Sequence, residues 1–259
     1  MKKTVNIQYI KLTVLLLSTL SSPIYAKEID VVTEYLSPYQ VKNNDGSLGG
    51  FSTEVIHALF KITGDSPKIR VLPWARAYAS AQHTKNTMIF SIAKTKKRLP
   101  KFHWVGDLIF EEYYFWGLAS NKNLTALSLD DLKPYRIATS RNSNEYEYLI
   151  DKKFENIYPV VNEDQRTQML YIQRIELIIE TEITLKSNTQ RLNLDFSKLQ
   201  KLHSVDSLNT TLSIAFNLNS DPKLIKKYLD AFSQLKTSGQ LSKLQAKWHL
   251  PSTSGVINH

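Results

Sequence analysis

From residue 29 onward the chain alternates short apolar runs with longer amphipathic stretches, a pattern that predicts strands interleaved with helices. Residues 29–33 (IDVVT) predict a buried strand, and Ser37-Pro38-Tyr39 breaks it and places a loop at its C-terminal end. Loops in that position are where open α/β sheets bind ligands. Asn43-Asn44-Asp45-Gly46 predicts a hairpin turn, and Ser52 is the expected cap of a helix striped by Val55, Ile56, Leu59 and Phe60 and ended by Gly64. Residues 69–72 predict a second strand stopped by Pro73, residues 74–82 a short helix, residues 88–92 a third strand, and residues 94–101 a polar loop. Such alternation implies a mainly parallel sheet.

The pattern restarts near residue 127. Residues 128–132 predict a capped turn, 136–138 a strand, 143–154 and 164–171 two helices, and 177–179 an apolar strand core bounded by Glu176 and Glu180. Residues 212–217 (LSIAFN) predict another strand. Asp221-Pro222 then opens a long helix as cap and first-turn proline, with Leu224, Ile225, Tyr228, Leu229, Phe232 and Leu235 as the expected buried face. A middle set of βα units between two outer ones suggests a second lobe inserted into a first.

The N-terminus changes the compartment. Lys2 and Lys3 precede an apolar run over residues 10–20, and Pro23 and Ala26 follow it; this reads as a secretory signal peptide over residues 1–26, with the mature chain starting at Lys27. The run is about half the ~20 residues that span a bilayer. With no cysteine, the chain has no thiol for lipid attachment, disulfide formation or nucleophilic catalysis. The net charge of +9 becomes +6 once Lys2, Lys3 and Lys11 are removed, and export argues against nucleic acid as the partner of that positive charge.

Several segments, taken in order, resemble one family: Gly46-Ser-Leu-Gly-Gly50-Phe51; Phe90-Ser91 through Lys94-Thr95 to Arg98; Asp130-Asp131-Leu132-Lys133; Arg174-Ile175-Glu176; and Gly239 before Lys247-Trp248. The mature chain is thereby similar, over nearly its whole length, to the extracellular solute-binding proteins of polar amino acid ABC transporters. Leu72-Pro73-Trp74-Ala75-Arg76-Ala77 and Trp104-Val105-Gly106 resemble a branch of it whose ligands are often unassigned. The resemblance implies an α/β fold of two lobes, the type II periplasmic binding protein fold. Residues 27–119 plus 210–259 would form lobe 1 and residues 120–209 the inserted lobe 2, with a hinged cleft between them. It also implies a soluble, monomeric periplasmic protein without a lipid anchor. Such a protein would bind a small anionic, amino-acid-like ligand without metal or cofactor and serve a permease of the inner membrane.

Carried over residue by residue, the resemblance makes Arg98 the clamp for a ligand carboxylate, with Ser91 upstream and Lys94 where the branch often carries a second arginine. A guanidinium suits that role because it donates two parallel charge-assisted hydrogen bonds. Arg141, Asn142 and Ser143 stand at a helix N-terminus in the second lobe, where free N–H groups favour an anion. Tyr35, Tyr39 and Trp74 follow first-lobe strands and are candidate walls. The family's ammonium-binding aspartate aligns with Thr181, which leaves Glu180 or Glu182, with a shift of strand register, or Glu34 as substitutes. Two other classes stay open. A dehydratase acting on cyclohexadienyl substrates could draw an acid or base from Glu34, Glu180, Glu182 or the Glu111-Glu112 pair, and a sensing module would present its bound ligand to a receptor. No nucleophile elbow or phosphate-binding glycine loop occurs, and His57, His83, His103, His203, His249 and His259 lack metal spacing.

Overall fold

The computed structural model describes residues 27–124, 128–161 and 163–251, so the expected signal peptide and its cleavage point lie outside the described residues. Two five-stranded sheets organise the chain. The first contains β1 (Glu28–Thr33), β4 (Ser66–Val71), β5 (Met88–Ala93), β6 (Phe102–Glu111) and β12 (Thr210–Asn217), in the order β4-β1-β5-β12-β6. The second contains β7 (Tyr113–Leu118), β8 (Ile137–Ser140), β9 (Ile157–Val160), β10 (Leu177–Thr181) and β11 (Leu199–Ser204), in the order β11-β7-β10-β8-β9. A small hairpin, β2 (Val41–Lys42) and β3 (Leu48–Gly49), carries the expected Asn-Asp-Gly turn.

Both sheets are mixed rather than mainly parallel: β4-β1-β5 and β10-β8-β9 pair in parallel, whereas β5-β12-β6 and β11-β7-β10 pair antiparallel. Every antiparallel pair includes one of the strands β6, β7, β11 or β12, which lead into or out of the two lobe crossings. The first crossing falls at Glu112, between β6 and β7, so the chain changes sheets earlier than the boundary after residue 119 that the sequence suggested. The return crosses between Ser204 and Thr210. Here the Tyr113 N–H donates to Asn209 Oδ1 at 2.9 Å and the Val205 N–H donates to the Tyr113 carbonyl at 2.8 Å, tying the two crossings together.

The helices follow from their sequences with two corrections. Helix α1 (Phe51–Thr63) begins at Gly50, and Ser52 is buried inside it without a capping bond. Its first N–H groups donate instead to the carbonyls of Pro38 and Tyr39, so no side-chain cap is needed. Gly50, at φ 103°, allows that approach, because a Cβ there would stand 2.4 Å from the Tyr39 carbonyl oxygen. Helices α2 (Trp74–His83) and α3 (Leu129–Leu132) follow, the latter opened by a Ser128–Asp131 capping box. In the second lobe lie α4 (Asn144–Asp151), α5 (Glu163–Tyr171) and α6 (Glu182–Arg191).

Helix α7 (Pro222–Thr237) is capped by Asp221, and α8 (Gln240–Lys247) follows it. Leu224, Ile225, Tyr228, Phe232 and Leu235 of α7 are buried as expected, but Leu229 is 42% exposed. At ~100° per residue it falls about 40° beyond the edge of that stripe. The Phe232 ring lies against Gly106 of β6, where a Cβ would stand 2.2 Å away. Each large apolar side chain buried in this way stabilises the first lobe by roughly 1.5–3 kcal/mol. No described helix is long and apolar enough to cross a membrane.

Candidate functional site

Where the two lobes meet, the C-terminal ends of β1, β5, β8 and β10 point at one another and enclose a cavity of about 40 Å³. The first lobe contributes Glu34 after β1, Trp74 at the start of α2, Ser91 in β5 and Arg98 from the following loop. The second contributes Ser140 at the end of β8, Ser143, Asn144 and Glu145 at the start of α4, Arg166 from α5 and Glu180 from β10. Glu111 and Tyr113, on either side of the first crossing, complete the wall.

Arg98 is the central feature. Its side chain is 2% exposed, and its guanidinium lies 5.1 Å from the Trp74 ring and 5.0 Å from the Tyr78 ring. It reaches the Ala93 carbonyl at 3.4 Å and, across the cleft, the Asn142 carbonyl at 3.5 Å; its Nε–H has no partner. No carboxylate among the described residues forms an ion pair with it. A buried cation held by two long bonds to neutral carbonyls and by aromatic faces, with Glu34 near enough to interact electrostatically but not paired with it, is under-compensated. Trp74 Nε1–H donates to the same Asn142 carbonyl at 2.9 Å, so the indole and the guanidinium together hold the lobes closed at that point.

The opposite wall is acidic. Arg166 and Glu180 are both buried and form an ion pair, and the Thr181 N–H donates to Glu180 Oε1 at 2.8 Å. Tyr113 Oη donates to Glu111 Oε2 at 2.8 Å, while Glu111 Oε1 has no partner. Burial, reinforced by Glu145, pushes Glu34 up to about 8; burial pushes Glu111 up to about 8; and burial pushes Glu180 up to about 7 against the pull of Arg166. The fold therefore binds more protons than the unfolded chain between the ordinary glutamate value of 4.5 and about 8. Stability should accordingly be greatest at the acid end of that window and fall as pH rises through it. Thermal unfolding midpoints measured in buffers from pH 5 to 8 are expected to decline towards pH 8; a flat or rising series would contradict this electrostatic reading.

The structure brings together Glu34, Trp74, Ser91, Arg98 and Ser143 of the residues named from sequence, and Asn142 joins them through its backbone carbonyl. Ser91 holds a left-handed conformation (φ 56°) in the middle of β5, and its Oγ accepts a hydrogen bond from Gln40; such strain in a non-glycine residue is common at sites of function. Ser143 is both cavity wall and helix cap, its Oγ accepting from the Tyr146 N–H at 3.1 Å. The other named residues lie elsewhere. Tyr39 is fully buried edge-on to Phe51. Tyr35 is 43% exposed on a separate groove between the lobes, and Lys94 pairs with Asp107 at 3.1 Å. Arg141 is exposed on a groove between the lobes, beside the inner cavity. Thr181 caps α6, and Glu182 pairs with Lys186 and Lys201. Sequence reasoning passed over Tyr113, Glu145 and Arg166, whose polar side chains read as solvent-facing, and named Glu111 only as a candidate acid or base of a dehydratase. It weighed Glu180 as a register alternative to Thr181 and as a candidate acid or base of a dehydratase.

The family model of bacterial extracellular solute-binding proteins, family 3, matches residues 29–251. Among solved structures, a histidine kinase sensor domain with similarity to periplasmic binding proteins aligns with a TM-score of 0.77 at 16% identity, covering 90% of this chain and 99% of that one. An ancestral arginine-binding protein bound to arginine aligns at 0.75 and 17%, covering 85% and 97%. A putative L-cystine ABC transporter protein from Listeria monocytogenes aligns at 0.73 and 21%, covering 86% and 96%. No curated protein sequence matches significantly. At these identities the structural likeness is one of fold.

Proposed function

The chain belongs to the bacterial extracellular solute-binding proteins of family 3, and from that premise we propose that it is a periplasmic protein that captures a small amino-acid-like carboxylate by lobe closure and hands it to an ABC transporter permease. The observation that carries this reading is Arg98, a buried guanidinium with no acid partner among the described residues, facing a cavity in the cleft. A ligand carboxylate supplies the missing anion. Four carboxyls, Glu34, Glu111, Glu145 and Glu180, share that cavity with two guanidinia. Of the amino-acid-like ligands expected from sequence, this balance favours one that carries an ammonium as well as its carboxylate. Solved relatives that bind arginine or belong to amino acid ABC transporters support the ligand class.

The test is a thermal-shift screen of α-amino acids and related carboxylates. Small-angle scattering with any hit should then show compaction, and mass spectrometry should recover the ligand unchanged. A screen in which none of these compounds binds overturns the proposal.

A second reading, a dehydratase-like enzyme, is favoured by one observation: carboxyls pushed up to about 8 in a cleft are what general acid catalysis at neutral pH requires. Turnover of the bound compound would decide for it.

A further inference from the structure

We propose that the cleft contains a second anion subsite, formed by Arg76 from the first lobe and Arg141 from the second, that takes an acidic group at the far end of the ligand. This deepens the binding-protein reading and rests on it.

The inner cavity is too small for a whole amino acid with a side chain: about 40 Å³ holds roughly three water-sized groups at ~10–15 Å³ each. It accommodates a head group, and the rest of the ligand must leave along its walls. Trp74 and Ser140 line the inner cavity on one side and, on the other, an interlobe groove of about 500 Å³. Pro73, Ala75, Val160 and Val161 make that groove largely apolar, and among the described residues Arg76 and Arg141 are its only charged lining residues.

The pairing of arginines elsewhere sharpens the assignment. Of the eight arginines, Arg70, Arg136, Arg166 and Arg191 have carboxylate partners, with Asp30, Glu176, Glu180 and Asp164. Among the described residues, Arg76, Arg98, Arg141 and Arg174 have none, and three of these four line the interlobe cleft. Arg98 serves the head group. Arg76 and Arg141, brought to one groove from facing lobes, repel each other as the lobes close unless an anion lies between them. A carboxylate in that position accepts hydrogen bonds from both lobes and favours the closed state. The groove thus accounts for Arg76 in the Pro73-Trp74-Ala75-Arg76 segment, which a ligand confined to the inner cavity leaves unexplained.

Calorimetry with α-amino dicarboxylates of increasing length, from L-glutamate to L-2-aminosuberate, each against its ω-amide, tests the subsite. At the chain length that spans from head to groove, the acid should bind about tenfold or more tightly than the amide. Arg76→Gln and Arg141→Gln should each reduce that preference to about twofold while leaving amide affinity within about twofold, since a surface substitution away from the head group changes only the lost contact. An acid preference absent at every length, or one that survives both substitutions, overturns the subsite while binding of neutral amino acids leaves the broader function standing. If no α-amino acid of any length binds, both readings fall together.

Discussion

Arg98→Lys is expected to weaken binding of an α-amino carboxylate by about tenfold to a hundredfold, even though it preserves the charge. The guanidinium lies 5.1 Å from the Trp74 ring and 5.0 Å from the Tyr78 ring, with an unpartnered Nε–H and two terminal nitrogens bonded only weakly to carbonyls. That geometry presents a planar fork, and a lysine ammonium offers one point charge in its place and loses the second bond in a buried site. Lys97 is the control. It stands in the loop over residues 94–101 that reads as polar, and its Nζ reaches Asp151 at 2.8 Å and Glu147 at 3.7 Å, on the other lobe. These are exposed pairs worth roughly 0.2–1 kcal/mol. Lys97→Ala should therefore cost at most about fivefold, and the cost should fade as salt screens it. Isothermal calorimetry at two salt concentrations separates the two residues. Equal losses that both vanish in salt would show that Arg98 acts as general surface charge.

Arg166→Met should destabilise the closed protein by about 3–5 kcal/mol near pH 8, the usual cost of removing one partner from a buried ion pair. Arg166 and Glu180 are both almost fully buried, and Glu180 also faces Glu145. Without the guanidinium, the Glu180 carboxylate is left uncompensated among further carboxyls, and it escapes the penalty only by taking up a proton. The penalty should therefore shrink as pH falls below about 7, where Glu180 is neutral even in the native protein. The double variant Arg166→Met/Glu180→Gln should recover most of the loss, because both ends of the pair are then uncharged. Urea unfolding at pH 6 and pH 8 reads out all three proteins. A single variant as stable as the native chain at pH 8 would mean that the pair is not buried.

Much of the architecture was written in local pattern. The buried strands β1, β5 and β12, the glycine end of α1, the Asp221-Pro222 start of α7 and the capping box at Ser128 each depend on a few neighbouring residues, and propensity and capping chemistry act at that range. Arg98 was legible for another reason: the order of Ser91, Thr95 and Arg98 matches a family pattern that its own chemistry supports. Strands β6 and β7 were not. Residues 102–118 run on with many aromatic and apolar side chains and no glycine or proline between Asp107 and Trp116, so nothing local marks Glu112 as the point where the chain leaves one sheet for the other.

The site's acidic half was decided by tertiary structure. Sequence aligned Thr181 with the ammonium-binding position, but the pleat sends alternate residues to opposite sides. Glu180 therefore enters the cavity while Thr181 turns to cap α6. Arg166 and Glu145 lie on helices whose polar residues read as solvent-facing, and only closure of one lobe on the other buries them. Tyr39 shows the reverse. It stands beside a proline in what reads as an exposed loop, yet the turn that brings the Leu36 and Gln40 backbones together rolls its ring into the core against Phe51. Which polar side chains are desolvated depends on surfaces that meet across long sequence separations. Periodicity therefore determined the elements, and the approach of the two lobes determined the chemistry between them.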